Sequence, residues 1–294
     1  MGTKIKSVNI AHEGFFRRGS VELESKAAEE CLKSGGVDPS DIGILINTGV
    51  YRDRHLVEPA MSSFIQKNIG ANVSGGGKRS TFSFDLTNGG GGMLTGIMVA
   101  DGFLQSGLTN CAMVVAGDAE SVPGLSDGYD YDPAASAVLL VPGEDGEGFI
   151  AFRTVTDTRY LDAAWGRMIW QGEKKKQNWL VLRSDPDYAV KCANSAMTTL
   201  EAFLTDMDMA LTDIDLLIPS QDPRGWLVEM RKRTGLGEKI VDVTATYGNV
   251  HTAGLGMALY RAEVEGRFAR KRNVVFLTVG AGITVTVALY RNIY

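Results

Sequence analysis

Apolar positions along this chain fall into short unbroken runs that alternate with helical patterns, and the alternation occurs twice. "DIGILI" (41–46) and "DIDLLI" (213–218) are each an Asp followed by an apolar run, the mark of a buried strand after a helix and a short loop. "GGGGMLTGIMVADGFLQSG" (89–107) and "GNVHTAGLGMALYRAEVEG" (248–266) each open on a glycine turn, pass through small residues into an apolar helix and close on Gly. Gly90 and Asn249 are 159 residues apart, and so are the closing Gly107 and Gly266. Next come "NCAMVVAGD" (110–118) and "NVVFLTVGAG" (273–282), two central strands with small residues at the end. Each half finishes in one more strand, "ASAVLLV" (135–141) and "ITVTVALY" (283–290).

Both halves thus read helix, strand, helix, strand, helix, strand, strand, which predicts an α/β fold with helices on both sheet faces. Two unrelated βαβ segments share composition, but agreement over four consecutive elements favours duplication. The predicted division is an N-terminal half over 1–142, a loop-rich insertion over 143–190 and a C-terminal half over 191–294. The insertion carries "GEDGEG", "GEKKKQNW" and "RSDPDY", and its "EKKKQ" run reads as a solvated face. In such a fold the cleft lies beyond the carboxyl ends of the strands, so Gly90 and Asn249 are expected to face one another across it.

Bulk composition narrows the class. The 294 residues suffice for well-buried cores, and 44% hydrophobic with 22% charged residues is ordinary for a globular protein. A net charge of −5 gives no reason to expect nucleic acid. The first twenty residues hold no long apolar run, and no segment reaches the roughly 20 apolar residues of a membrane helix. A cytoplasmic location is the expectation. Cys31, Cys111 and Cys192 form neither a zinc spacing nor a disulfide framework, so no metal is expected.

"FDLTNGGGGMLTG" (84–96) places four glycines between a strand and a helix, where a phosphate or an exposed nucleophile is usually held. With its neighbours it resembles the thiolase superfamily, in the ketoacyl-acyl-carrier-protein synthase III branch. "FDLTNGGGGMLTG" is similar to that branch's nucleophile elbow, "LIPSQ" (217–221) to its Pro-His-Gln segment, and "YGNVHTAG" (247–254) to its Gly-Asn-x-x-x-Ala segment. "LTVGAGIT" (277–284) is similar to its C-terminal glycine loop, and "DPAASAVLL" (132–140) to its Asp-Gly-Ala-Gly-Ala strand entry. The resemblance implies a thiolase-like fold, two duplicated α/β halves in a layered αβαβα core. "INTGVYRDRHLVEPA" (46–60) resembles the corresponding loop of the olefin-biosynthesis thiolases, in which a Glu before a Pro, here Glu58, reaches across a dimer into the partner's site as general base.

The family's Cys, His and Asn fall on Gly90, Ser220 and Asn249. A Cys at a helix N-terminus takes an acyl group from a thioester because the dipole and free N–H groups stabilise its thiolate. Glycine cannot be acylated, and Thr87 carries the one nucleophile in 87–92. The elbow has lost its nucleophile. Ser220 replaces an imidazole with one neutral hydrogen-bond donor. The backbone N–H groups of Gly90 and Ala281 occupy the family's oxyanion-hole positions and do not depend on a side chain. The family's longer N-terminal segment, which helps hold the adenine end of coenzyme A, is short here.

His251 stands in the Asn249 turn as a candidate base, with a structural or surface role as the plainer reading. His55 could partner Glu58 but reads as an exposed loop residue, and His12 carries no context. The three cysteines read as small core hydrophobes. "NVSGGGKRST" (72–81) lacks P-loop spacing and reads as a loop. Trp165, Trp170 and Trp179 suit an acyl tunnel or plain packing. The resemblance then implies a catalytically silent subunit that donates Glu58 to a thiolase-fold partner bearing Cys, His and Asn, for Claisen condensation of acyl thioesters. The subunits would join through the strand at about 110–117. The alternatives are a lone acyltransferase or thioester hydrolase with Glu58, His251 or Ser220 as acid or base and without an acyl-cysteine, and a homodimeric acyl-binding scaffold. No cofactor is implied beyond the coenzyme A or carrier protein of the thioester.

Overall fold

A computed structural model describes residues 2–12, 19–73, 80–170 and 178–293. The N-terminal half contains β1 (Thr3–His12), α1 (Ser20–Gly35), β2 (Ile44–Asn47), α2 (Met61–Ile69), β3 (Phe82–Asp85), α3 (Gly92–Gln105), β4 (Ala112–Asp118), the short β5 (Ser126–Asp127) and β6 (Ala134–Pro142). The C-terminal half follows with β7 (Gly148–Thr156), β8 (Ala164–Trp170), β9 (Asn178–Ser184), α4 (Tyr188–Asp206) and β10 (Leu216–Pro219). It ends in α5 (Trp226–Thr234), α6 (Thr244–Tyr247), α7 (Gly254–Val264), β11 (Asn273–Gly280) and β12 (Thr284–Arg291).

Nine strands join in the order β10-β11-β12-β7-β1-β6-β4-β2-β3. This order is a mirror about the β1–β7 junction: β6 matches β12, β4 matches β11, and β2 matches β10. The junction rests on one residue pair, Thr3 with Phe149, so the sheet is two half-sheets touching at an edge. Opposite β3, the C-terminal half has a parallel bridge of Ile240 to Leu217. The duplication read from the chain is thereby carried through the sheet.

Alternation along the strands sorts the core into layers, because successive side chains point to opposite faces. Met113 and Val115 of β4 join Leu23, Ala27 and Ile65 in a core beneath α1 and α2. Ala112, Val114 and Ala116 point the other way, into a core that also takes Met93 and Ile97 of α3, Leu255 and Leu259 of α7, and Val274 and Phe276 of β11. The opposite face of β11, with Val275 and Leu277, packs on Leu200 of α4 and Trp226 of α5. The result is α, β, α, β, α, with α3 and α7 as the buried middle layer. Both need small residues: a Cβ on Gly256 of α7 would stand 2.4 Å from Oγ of Ser136.

Two expectations are corrected here. Segment 143–190 is not a loop-rich insertion, because its described residues supply β7 of the main sheet, and β8 and β9 of a small sheet with β5. Its length and charge hid the strands; the "EKKKQ" run (173–177) and most of the "NVSGGGKRST" loop lie outside the described residues. The strand at 110–117 cannot join two subunits, because β4 is paired on both sides, to β2 and to β6. The free edge belongs to β3, whose Phe82 is 57% exposed.

Candidate active site

Beyond the carboxyl ends of the strands lies an open cavity of about 930 Å³. Gly90 at the head of α3, Asn249 and His251 ahead of α7, and Ala281 after β11 all line it. Gly90 and Asn249, expected to face one another across a cleft, line the same cavity. The elbow and the C-terminal glycine loop touch backbone to backbone: a Cβ on Gly280 would sit 2.6 Å from the carbonyl oxygen of Asn88. Around an ideal Cβ on Gly90 the near neighbours are the carbonyl oxygen of Val279 at 3.1 Å and Cβ of Asp222 at 4.0 Å. Gly90 thus opens onto the Asp222 side chain, in a cavity wall.

The motif residues beside the elbow have structural duties. Asp85 of "FD" accepts the N–H groups of Met61 and Ser62 at 2.9 Å each, capping α2, and pairs with Arg52 at 3.1 Å. Gln221 of "LIPSQ" is buried, donates to the carbonyls of Pro219 and Val241, and accepts the N–H of Val243. Ser220 is fully buried and does not line the cavity. Its hydroxyl oxygen accepts the N–H of Val279 at 3.2 Å, and it donates weakly to the carbonyl of Asp222 at 3.4 Å. The predicted catalytic role of Ser220 is not supported by this placement; the short side chain stays behind the wall.

Asn249 is anchored from both ends. Its backbone N–H donates to Asp132 at 2.8 Å, and its amide donates to the carbonyl of Asp130 at 2.7 Å. Oδ1 of Asn249 is buried without a hydrogen-bond partner.

His251 is neither a surface residue nor a mere packing one. The buried ring donates Nδ1–H to Oδ2 of Asp118 over 2.9 Å and stacks on Tyr131 at 4.5 Å, with Tyr51 at 5.3 Å. With Nδ1 engaged, Nε2 is left for the cavity that the ring lines. Asp118, at the end of β4, also accepts from the N–H and hydroxyl of Thr252, and from the N–H groups of Val50 (2.8 Å) and Tyr51 (2.6 Å). Burial works to raise the Asp118 carboxyl, but the bond and charge of His251, with Thr252 and Tyr51, hold it below the ordinary value. Burial works to lower His251, yet the hydrogen bond and charge of Asp118, then the charge of Asp222, leave it raised above 6.5. Asp222 is raised, first by burial, against the pull of His251. By surface area Asp222 is only half-buried; the surrounding protein nevertheless withholds enough water to raise its carboxyl above the ordinary value.

Sequence reasoning named His251 but passed over Asp118 and Asp222. A signal existed for Asp118: it is the lone charge ending an otherwise apolar central strand, at the sheet end where sites form. Nothing in the chain order marks Asp222 as a neighbour of Gly90.

The 46–60 loop runs from the cavity outward. Tyr51, Arg52, His55 and Val57 contribute to the wall, whereas Glu58 is exposed and does not line it. Val57 is 79% exposed. His55 is half-buried rather than free in solvent, burial lowers its pKa, and its Nε2 has no hydrogen-bond partner. His12 stands edge-on to Tyr247. Trp165 lines the cavity with Arg167 over its ring at 4.7 Å, while Trp170 is exposed. The cysteines are buried and free, with burial pushing the thiols of Cys31 and Cys192 up to about 12 and Cys111 to about 11. None replaces the nucleophile.

Residues 204–292 match the family model described as 3-Oxoacyl-[acyl-carrier-protein (ACP)] synthase III C terminal. Over 292 residues the chain is 27% identical to the beta-ketoacyl-[acyl-carrier-protein] synthase III of Listeria welshimeri, covering 96% of this chain and 85% of that one. The chain resembles the ketoacyl synthase III-like branch of the thiolase superfamily, and its segment 204–292 carries the C-terminal domain of that family. The corresponding Clostridium tetani synthase is 23% identical, with 92% of this chain and 83% of that one covered. Among solved structures, the Pseudomonas aeruginosa synthase III superimposes with a TM-score of 0.83 at 17% identity, over 100% of this chain and 99% of that one. The OleA protein of Xanthomonas campestris, solved with bound lauric acid and lauroyl-CoA, gives 0.82 at 16% identity, over 99% of each chain. At those identities the two structures establish a shared fold alone. No helix among the described residues of this synthase III-like chain is long and apolar enough to cross a membrane.

Proposed function

We propose that this synthase III-like chain is the base-donating subunit of a thiolase-fold heterodimer that condenses acyl thioesters in the cytoplasm, its own elbow being silent in the condensation. The observation carrying this reading is the placement of Glu58: exposed at the outer end of a loop anchored in the chain's own cavity, and outside that cavity. A base held there serves a second subunit. The chain's own elbow supports no acyl-enzyme, since Gly90 has no side chain and Ser220 is sealed behind the wall.

The division of labour follows from the chemistry. A cysteine of the partner takes the acyl group from one thioester, with release of its thiol. Glu58 removes a proton from the α-carbon of a second thioester, whose carbanion attacks the acyl carbon and expels the cysteine thiolate. A carbon–carbon bond forms as the carbon–sulfur bond breaks. Three anchors hold the loop for this task. Asp118 takes the backbone of Val50 and Tyr51, Arg52 pairs with Asp85, and Asp53 accepts the N–H of Ser20 at 2.7 Å. Pairing through the free edge at β3, with Phe82 outward, would continue the sheet into the partner.

Co-expression with an intact ketoacyl synthase III-like homologue from the same genome, with only this chain tagged, tests the reading. A one-to-one complex by native mass spectrometry, whose condensation activity falls at least 100-fold in Glu58→Ala, is the expected result. A homodimer that ignores the homologue, or a complex indifferent to Glu58→Ala, would overturn it.

A further inference from the structure

Five polar features from different elements converge on the chain's own cavity, and the heterodimer reading uses none of them chemically. They are His251 with Asp118 behind it, Asp222 beside Gly90, the unpartnered Oδ1 of Asn249, and the backbone at Gly90 and Ala281. A pocket kept only for packing would close over this space; here the room left by the missing side chain of Gly90 stays open to the cavity. A hydrogen-bonded His–Asp pair with the second ring nitrogen presented to a cleft is the arrangement that moves a proton.

We propose that this cavity is a hydrolytic site for acyl thioesters, working by direct attack of water with His251 as the catalytic base and Asp118 as the residue that positions it. Nε2 of neutral His251 takes a proton from water as the water oxygen bonds to the thioester carbonyl carbon. The carbonyl π electrons move to oxygen, which the N–H groups of Gly90 and Ala281 receive. When that oxygen re-forms the double bond, the carbon–sulfur bond breaks, and the thiolate takes the proton back from His251. Thioester and water give carboxylic acid and thiol, and no atom of the protein is acylated. Nδ1–H donation to Asp118 fixes the tautomer that leaves Nε2 free to accept.

The site sets the pH response. The groups facing His251 are Asp118 from β4, Tyr51 from the loop after β2, Tyr131 ahead of β6, and Asp222 after β10, with the Arg224–Asp130 pair (3.0 Å) near Asp222. Burial holds both tyrosine hydroxyls neutral. Because Asp118 and Asp222 raise His251, the basic imidazole gains population as pH rises past 6.5, and hydrolysis climbs with it. Asp222→Asn removes one of the carboxylates that hold the proton on, so the rising limb moves to lower pH.

This inference concerns the chain's own cavity and is independent of the partner's. The test uses the full chain, alone and in its complex, with acetyl-CoA, octanoyl-CoA and lauroyl-CoA as probes. Thiol release is followed by a disulfide reagent, the acid by mass spectrometry in ¹⁸O water, and the protein by intact mass. Expected are one ¹⁸O in the acid, an unmodified protein mass, and a rate that rises with pH. His251→Gln should lower the rate by about 100-fold or more, and Asp222→Asn should shift the limb as stated. The wild-type pH profile and ¹⁸O label decide the matter even if a variant fails to fold. No thiol release from the folded chain in either state, an acylated protein, a pH-independent rate, or full activity in a folded His251→Gln would overturn the inference. Failure here leaves the condensation result with Glu58→Ala untouched, and the reverse holds.

Discussion

Nδ1 of His251 lies 2.9 Å from Oδ2 of Asp118, and Oδ1 of the same carboxylate holds the backbone of Val50 and Tyr51, where the loop to Glu58 begins. One buried carboxylate therefore ties the turn before α7 to the loop after β2, across the two halves of the fold. It accepts from five donors, which is why an ionised group is tolerated there.

Asp118→Asn should cost roughly 3–5 kcal/mol, since it removes one partner of a buried ion pair and turns an acceptor into a donor facing donors. Its pH signature follows from the signs. The lowered Asp118 value contributes stability above the ordinary carboxylate range that is lost as pH falls through the folded value. The raised His251 value contributes stability present in full below about 6.5 and lost as pH rises through the folded value. Urea unfolding across pH should show the gap between wild type and variant narrowing at both ends; a constant gap would contradict it.

Glu24 of α1 is fully buried, with no hydrogen-bond partner at either carboxylate oxygen. Burial first, then the charges of Asp118, Asp85 and Asp53, push its carboxyl well above the ordinary value. A carboxyl raised on folding costs stability increasingly as pH rises above the unfolded value. Glu24→Gln should stabilise the protein by about 1 kcal/mol or more at pH 7. The gain should vanish near pH 4, as read by chemical denaturation; an equal gain at both pH values would contradict the raised carboxyl.

Gly90→Cys should fold with a loss of about 1–2 kcal/mol, because its Cβ is tight only against the Val279 carbonyl at 3.1 Å. At the head of α3 its thiolate is favoured by the helix N-terminus. Iodoacetamide should therefore label it well before buried Cys31, Cys111 and Cys192. Condensation by the lone variant is not expected, since no imidazole stands at Ser220. Labelling no faster than the native thiols would show that the elbow no longer presents a side chain.

Phe82→Asp places a charge on the exposed edge strand β3. If that edge meets the partner, affinity should fall by about 2 kcal/mol, roughly 30-fold, as measured by native mass spectrometry or sedimentation. The thermal midpoint of the isolated chain should barely move, because the residue is 57% exposed. Unchanged affinity would place the interface elsewhere.

The duplicated α/β plan was legible from the chain because strand and helix periodicities are local, and each half repeats them in order. The strand–glycine turn–helix at 84–96 was equally legible, since it is a matter of local pattern. Segment 143–190 misled because charged and glycine-rich stretches surround β7, β8 and β9, whose status depends on pairing with distant strands. Likewise β4 carries the apolar run of any central strand, and only its pairing on both sides shows that the free edge is β3. Tertiary structure alone decided that Ser220 turns to the backbone of Val279, that Asp222 stands beside Gly90, and that Asp118 holds His251. Such contacts join groups up to 133 residues apart, and the closure of one half-sheet on the other, not the order of residues, brings those groups together.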